Sequence, residues 1–275
     1  MQVASSVAQA RALFDVLPRP LGFVPTMGAL HEGHLALARR ARAECAAVAS
    51  SVFVNPLQFG AGEDLATYPR DFDGDAQKLA NVGIDVLFAP VKDAMYPPDF
   101  STTVDVGDVA SRFEGAARPT HFRGVATVVT KLLNIVRPDV LYLGQKDAQQ
   151  TAVLRKLIRD LELPVSVTIV PTERDVDGLA LSSRNAYLNP QEREAAPSLH
   201  NALQAVRLAM AAGRSKADAV AAARARLSPL AELDYLDVVD ADTFVPIEML
   251  QPPAFVIAAA RFGTTRLLDN LWIDQ

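Results

Sequence analysis

The sequence predicts an α/β protein, with a parallel sheet covered by helices followed by a second, smaller α+β domain. Two observations point there. Short apolar segments rich in Val, Ile and Phe alternate with helix-length stretches over residues 1–175, whereas residues 176–275 turn to an alanine-rich helical region and then to three strand-like segments. Parallel neighbours need crossovers of helix length, so alternation argues for a parallel sheet, with ligands bound beyond the carboxyl ends of its strands.

Taken in order, Leu21–Val24, Ala47–Val54, Ile84–Ala89, Val140–Leu143 and Val165–Val170 read as strands. Between them the helical pattern runs from Leu35, from Asp71 to Asn81 with Gly83 as a stop, from Gly124 to Arg137, and from Asp147 to Leu161. Residues 189–227 form one long helical region, broken at Gly213 and ended by Pro229. The last segments, Leu233–Val239, Ala254–Phe262 and Thr265–Ile273, are joined through Pro252-Pro253 and Gly263, and such short links favour antiparallel pairing.

The chain has 275 residues, half of them hydrophobic, which is ample for a buried core. A formal net charge of -5 gives no general attraction for nucleic acid or an anionic membrane, so any anionic substrate must be held by a local cluster. Cys45 is the single cysteine and cannot form an internal disulfide; a small buried hydrophobe is its expected role. The first residues lack a signal-peptide pattern and no apolar run has membrane-spanning length, so a soluble cytoplasmic protein is expected.

Pro25-Thr-Met-Gly-Ala-Leu-His-Glu-Gly-His-Leu35 carries the chemistry first. It follows an apolar strand and precedes a helix expected to start near Glu32, whose unpaired N–H groups and partial positive charge suit a phosphate. Gly28 and Gly33 fit positions where backbone turns sharply or approaches a ligand closely. His31 and His34, three apart, are expected on one helix face, meeting one ligand. A zinc-protease helix would need its histidines four apart, and only His121, His200 and Cys45 remain as further soft ligands, so no protein metal site is expected.

Gly144-Gln145-Lys146-Asp147 repeats the strand, loop and helix-start pattern, with Lys146 as a cation for phosphate and Asp147 as a possible N-cap. Ser182-Ser183-Arg184-Asn185 lies where the texture changes, with hydroxyls and a guanidinium suited to phosphate oxygens; no G-x-S-x-G elbow makes either serine a nucleophile. Asn55 and Gln58 end the second strand, and Gln150 lies one turn into the helix after Lys146; such amides suit a substrate bearing hydroxyls and a carboxylate. Arg118-Pro-Thr-His-Phe-Arg-Gly124 adds two arginines before a helix.

With these segments in order, and with Tyr68-Pro-Arg-Asp71 and Asp177–Asn185, the chain resembles the pantothenate synthetase, or pantoate–beta-alanine ligase, family over nearly its full length; the His-x-Gly-His element alone belongs to a wider nucleotidyltransferase superfamily. Leu181 stands where the family commonly has methionine, a volume-conserving change. The resemblance implies a Rossmann-like first domain, a C-terminal domain closing over the site, a homodimer, and ATP and magnesium as co-substrate and cofactor. It implies two steps: pantoate attacks the α-phosphorus of ATP, and β-alanine then attacks the pantoyl adenylate. By resemblance, His31, His34, Lys146, Ser182, Ser183 and Arg184 form the catalytic set, with His34 the proton donor. The same resemblance gives Met27, Gly28, Ala29, Leu30, His31, Glu32, Gly33, His34, Gly144, Gln145, Lys146, Asp147, Glu173, Leu181, Ser182, Ser183 and Arg184 to the nucleotide. Gln58 and Gln150 are its pantoate amides, with Asn55, Tyr68 and Arg118 beside them. Magnesium is expected to ride on the phosphates, and Asp73 and Asp75 are not assigned to it. Two competing readings are a nucleotidyltransferase that retains the nucleotide on its product and a noncatalytic nucleotide sensor with a helical partner surface on residues 189–227.

Overall fold

A computed structural model of the chain describes residues 1–274. They form two compact units, one made of Met1–Gly144 with Val153–Val170, the other of Gln145–Ala152 with the chain from Pro171 onward.

The first unit is a Rossmann-like α/β layer structure. Its strands are β1 (Gln2–Ala4), β2 (Leu21–Thr26), β3 (Ala47–Val52), β4 (Val86–Phe88), β5 (Val140–Gly144) and β6 (Ser166–Val170). They lie in the order β1-β4-β3-β2-β5-β6 with every pair parallel. The helices are α1 (Val7–Phe14), α2 (Glu32–Glu44), α3 (Phe72–Asn81), α4 (Lys92–Met95), α5 (Glu114–Ala117), α6 (His121–Val136) and α7 (Ala148–Asp160), the first turn of α7 belonging to the second unit.

The strands read as nearly continuous apolar runs because both faces of the sheet are covered. Phe23, Ala49, Phe88 and Leu141 point into one layer with the buried residues of α6, while Val24, Val48, Leu87 and Tyr142 point into the other with Ala38 and Ala41 of α2. Cys45, buried at the end of α2, fills that second layer beside Tyr142. Strand order reverses at β2, which has β3 on one side and β5 on the other, so the carboxyl ends of β2 and β5 bound the crevice where such sheets bind ligands. The sequence reading missed β1 and α1: three residues are too few for a strand period to register.

The second unit is built on an antiparallel sheet, β7 (Ala231–Asp240), β8 (Ala254–Phe262) and β9 (Thr265–Ile273), in that order. Gly263, at φ +59°, turns the chain between Phe262 and its partner Thr265. The alanine-rich region is three helices, α8 (Pro190–Ala195), α9 (Ser198–Ala211) and α10 (Lys216–Arg224), not one region broken only at Gly213. Pro197, which has no N–H to donate, separates the first two. The core joins Leu199, Leu203, Val206 and Met210 of α9 to Val256, Ala258, Ala260 and Phe262 of β8. Among the described residues, no helix is long and apolar enough to cross a membrane.

Candidate active site

The loop leaving β2 is shaped from below by α3. Gly28 (φ +85°) and Ala29 (φ 51°) make a left-handed turn, and a Cβ on Gly28 would stand 2.9 Å from Asp75 Oδ2. Asp75, 1% exposed, accepts the N–H groups of Ala29 and Leu30, both at 2.8 Å, and Lys78 donates to the Leu30 carbonyl at 2.9 Å. Thr26 Oγ1 donates to the Ser51 carbonyl and accepts from Gly28 N–H. Gly33 does not take part in the turn. It lies in the first turn of α2.

His31 is the residue before α2, with extended backbone (φ -122°, ψ 176°), and so is not on the helix face the spacing predicted. The two rings nevertheless meet, with centroids 4.1 Å apart, because His34 Nδ1 accepts the His31 N–H at 3.3 Å across the first turn. A neutral His34 with Nδ1 accepting must carry its proton on Nε2. The helix entrance beside it carries the positive end of the α2 dipole. Glu32 opens that helix, and Gly144 closes β5, where a Cβ would make only an ordinary contact with Leu37.

Asn55 and Gln58 come together at the 3-10 turn Pro56–Gln58. Asn55 Nδ2 donates to Gln58 Oε1 at 2.9 Å and to the Gly124 carbonyl at 3.1 Å. Its Oδ1 accepts from Tyr96 OH at 2.8 Å and from Leu57 N–H at 3.3 Å. Gln58 Nε2 faces Met27 Sδ at 3.1 Å, which joins this cluster to the β2 loop. The Gln58 carbonyl accepts from Arg118 Nη2 at 3.2 Å and lies 3.0 Å from His121 Nδ1. Arg118 is forked onto Glu63 at 2.7 and 2.6 Å, and its hydrogen bonds hold the Glu63 carboxyl below the usual carboxylate range. Gly124 is needed here, since a Cβ would lie 2.2 Å from the Leu57 carbonyl. Tyr68 is buried edge-on against Phe59.

In the second unit, Gln145–Asp147 is a 3-10 turn running straight into α7. Asn270 of β9, 2% exposed, grips it by donating to the carbonyls of Gln145 at 2.9 Å and Lys146 at 2.8 Å. Lys146 Nζ lies 3.5 Å from Asp147 Oδ1, and Gln150 is half-buried in the next turn. Residues 173–181 fold as a tight hairpin: Leu181 N–H donates to the Glu173 carbonyl at 2.9 Å, and Arg174 bridges to Ala180. Ser182 then caps the 3-10 turn Ser183–Tyr187 through Oγ, which accepts from Arg184 N–H at 3.3 Å.

The sequence reading missed three supporting residues. Asp75 stands beside Asp73 as an acid left without a role once neither is assigned to magnesium, Asn270 lies far along the chain from the turn it holds, and Tyr96 sits in no motif. A buried polar residue is recognised only once its partners are known.

The profile describing pantoate-beta-alanine ligase matches residues 2–272. The chain belongs to the pantoate-beta-alanine ligase family. Among its relatives, the pantothenate synthetase of Roseiflexus sp. (strain RS-1) is 51% identical over 277 residues, covering 100% of both chains. That of Heliobacterium modesticaldum is 52% identical over 93% of this chain and 92% of its own. In structure, the pantothenate synthetase of Thermus thermophilus matches this family member with a TM-score of 0.95 at 49% identity over 100% of each chain. A Francisella tularensis pantoate-beta-alanine ligase, solved with beta-gamma ATP and beta-alanine, matches with a TM-score of 0.82 at 33% identity over 99% of this chain and 97% of that one.

Proposed function

We propose that this chain is an AMP-forming ligase that condenses (R)-pantoate with β-alanine to pantothenate at the expense of ATP. The observation that carries the reading is full-length similarity to the family, at 51% identity to one pantothenate synthetase. The Francisella ligase solved with an ATP analogue and β-alanine supports the choice of ATP and amine.

In the first step a pantoate carboxylate oxygen attacks the α-phosphorus, the bond from that phosphorus to the bridging oxygen of pyrophosphate breaks, and pyrophosphate leaves with the electron pair. In the second, the β-alanine amine attacks the acyl carbon, AMP departs, and the nitrogen loses a proton as the amide forms. Neither step needs a nucleophile from the protein; both need positioning and compensation of negative charge.

The histidine pair and the α2 entrance suit that demand. His34 Nε2–H is proposed as the donor to phosphate oxygens and to the leaving group, with His31 beside it. Met27–His34, Gly144–Asp147, Glu173 and Leu181 are the proposed nucleotide residues, and Lys146, Ser182, Ser183 and Arg184 supply further donors and positive charge to phosphate. Gln58 and Gln150 are the proposed pantoate amides, with Tyr68 and Arg118 in supporting positions.

Among the described residues, no group of three or more His, Cys, Asp or Glu is arranged to hold a metal ion. A magnesium ion proposed for this reaction would enter on the triphosphate with its waters. A homodimer and a cytoplasmic location complete the proposal from family resemblance. Light scattering should return twice the 29.6 kDa chain mass, and a monomer would remove the dimer.

The deciding assay measures pyrophosphate from Mg-ATP and D-pantoate, with mass analysis before and after β-alanine is added. An adenylate that becomes pantothenate on amine addition supports the ligase. A stable nucleotidyl product that ignores the amine supports a nucleotidyltransferase, and ATP binding without pyrophosphate release supports a sensor.

A further inference from the structure

The Asn55 side chain is fully occupied. Its amide has two N–H donors and two acceptor lone pairs, and all four are used: by Gln58 Oε1, the Gly124 carbonyl, Tyr96 OH and Leu57 N–H. The residue is 1% exposed. A substrate could bind to it only by displacing one of these partners.

The orientation of the amide is fixed by backbone groups whose polarity is unambiguous. Leu57 N–H can only donate, so the Asn55 atom facing it is oxygen; the Gly124 carbonyl can only accept, so the atom facing that is nitrogen. Asn55 nitrogen can only donate, so the Gln58 atom it meets must be the amide oxygen. Gln58 is left with its NH2 turned the other way, toward Met27. Tyr96 closes the chain at the far end. Burial pushes its phenol well above the usual range, so it stays protonated and donates to Asn55 Oδ1 at 2.8 Å. Its ring is clamped by Phe53 at 5.9 Å and Phe100 at 4.9 Å, with Lys131 Nζ 5.6 Å from the ring centroid.

We infer that Asn55 is a positioning residue that locks Gln58 as a hydrogen-bond donor, and that Tyr96, by donating to the second acceptor site of Asn55 Oδ1, holds that amide in place, so that the pantoate subsite selects an acceptor oxygen at that point. The inference rests on the assignment of Gln58 to pantoate. It moves Asn55 out of the substrate contacts and adds Tyr96, which acts on Gln58 through the Asn55 amide. A carboxylate or hydroxyl oxygen satisfies the Gln58 NH2, whereas a ligand presenting only a donor there would leave two donors facing each other, with a desolvation cost.

Tyr96→Phe tests this, because it keeps the ring and its packing and removes only the hydroxyl. The expected result is a rise of roughly fivefold in KM for pantoate, the size of one lost neutral hydrogen bond, with KM for ATP unchanged. In a Gln58→Ala background the same substitution should have no further effect on KM for pantoate, since the relay then ends on nothing. Asn55→Asp replaces the donor to Gln58 by an acceptor and turns the glutamine round, so its pantoate KM should rise further than that of Tyr96→Phe. A wild-type pantoate KM in either single variant, an equal rise in both KM values, or an additive effect in the Gln58→Ala background overturns the relay. The wild-type enzyme is measured first: absence of pantoate-dependent pyrophosphate release would overturn the ligase reading and the relay together, whereas normal wild-type turnover with unaltered variants overturns the relay alone.

Discussion

The two ring nitrogens of His34 have different surroundings and therefore different work. Nδ1 accepts the His31 N–H at 3.3 Å, which orients the ring and leaves Nε2 as the donor. In the proposed adenylation, that donor stands at the entrance of a helix already favourable to negative charge, so its contribution should be larger in the transition state than in the ground state. His34→Ala is expected to lower kcat for adenylate formation roughly 100- to 1,000-fold, the size of losing one preorganised donor, with far-ultraviolet circular dichroism unchanged. Single-turnover pyrophosphate release measures it. Turnover within a factor of two of wild type would remove the histidine from the mechanism. The Asp75 carboxylate works differently: it fixes backbone by accepting Ala29 and Leu30 N–H, so the pair of histidines follows from a loop that α3 holds in shape.

At the scale of elements, the sequence was legible where structure is repetitive or local. Five strands of the parallel sheet showed as Val- and Ile-rich runs because both sheet faces are buried, and the glycine and histidine positions of the β2 loop showed because turns and helix entrances have local chemical demands. Less legible was whatever depends on a distant partner. The fork of Arg118 on Glu63 crosses 55 positions, and the grip of Asn270 on the turn carrying Lys146 crosses 124, so neither leaves a local pattern. His31 was misassigned to the helix because i and i+3 spacing looks alike whether the first residue is helical or a cap. The grip on the turn makes its own prediction. Asn270→Ala frees two carbonyls of a turn that carries a proposed phosphate-binding cation, and it should lower kcat for adenylate formation about tenfold, the size of one lost buried hydrogen bond at its upper range. In a Lys146→Ala background the same change should add little. Additive losses in the double variant would show that Asn270 acts elsewhere.

For the molecule as a whole, the second unit has a stability term that depends on pH. Asp269 is 5% exposed on β9, forked onto Arg174 at 2.7 and 2.8 Å, with His200 Nδ1 at 3.4 Å from Oδ2. Burial pushes its carboxyl up, but the bonds and charges of His200 and Arg174 more than offset this and hold it below the usual range. A carboxyl lowered on folding stabilises the protein above its unfolded value, about 3.9, and that contribution is lost as pH falls from there through the lower folded value. Arg174 also donates to the Gly178 and Asn270 carbonyls, so replacing the carboxylate by an amide leaves a largely buried guanidinium with neutral acceptors alone. Asp269→Asn is therefore expected to cost about 3 kcal/mol near pH 7, as for a buried pair deprived of one partner. The gap between variant and wild type should narrow steadily below about pH 4, where the wild-type carboxylate is itself being neutralised. Urea unfolding of both proteins at a series of pH values from neutral to acid reads it directly. A gap that stays constant through the acid range would mean that packing around β9, and not the ionised carboxylate, is what the substitution removes.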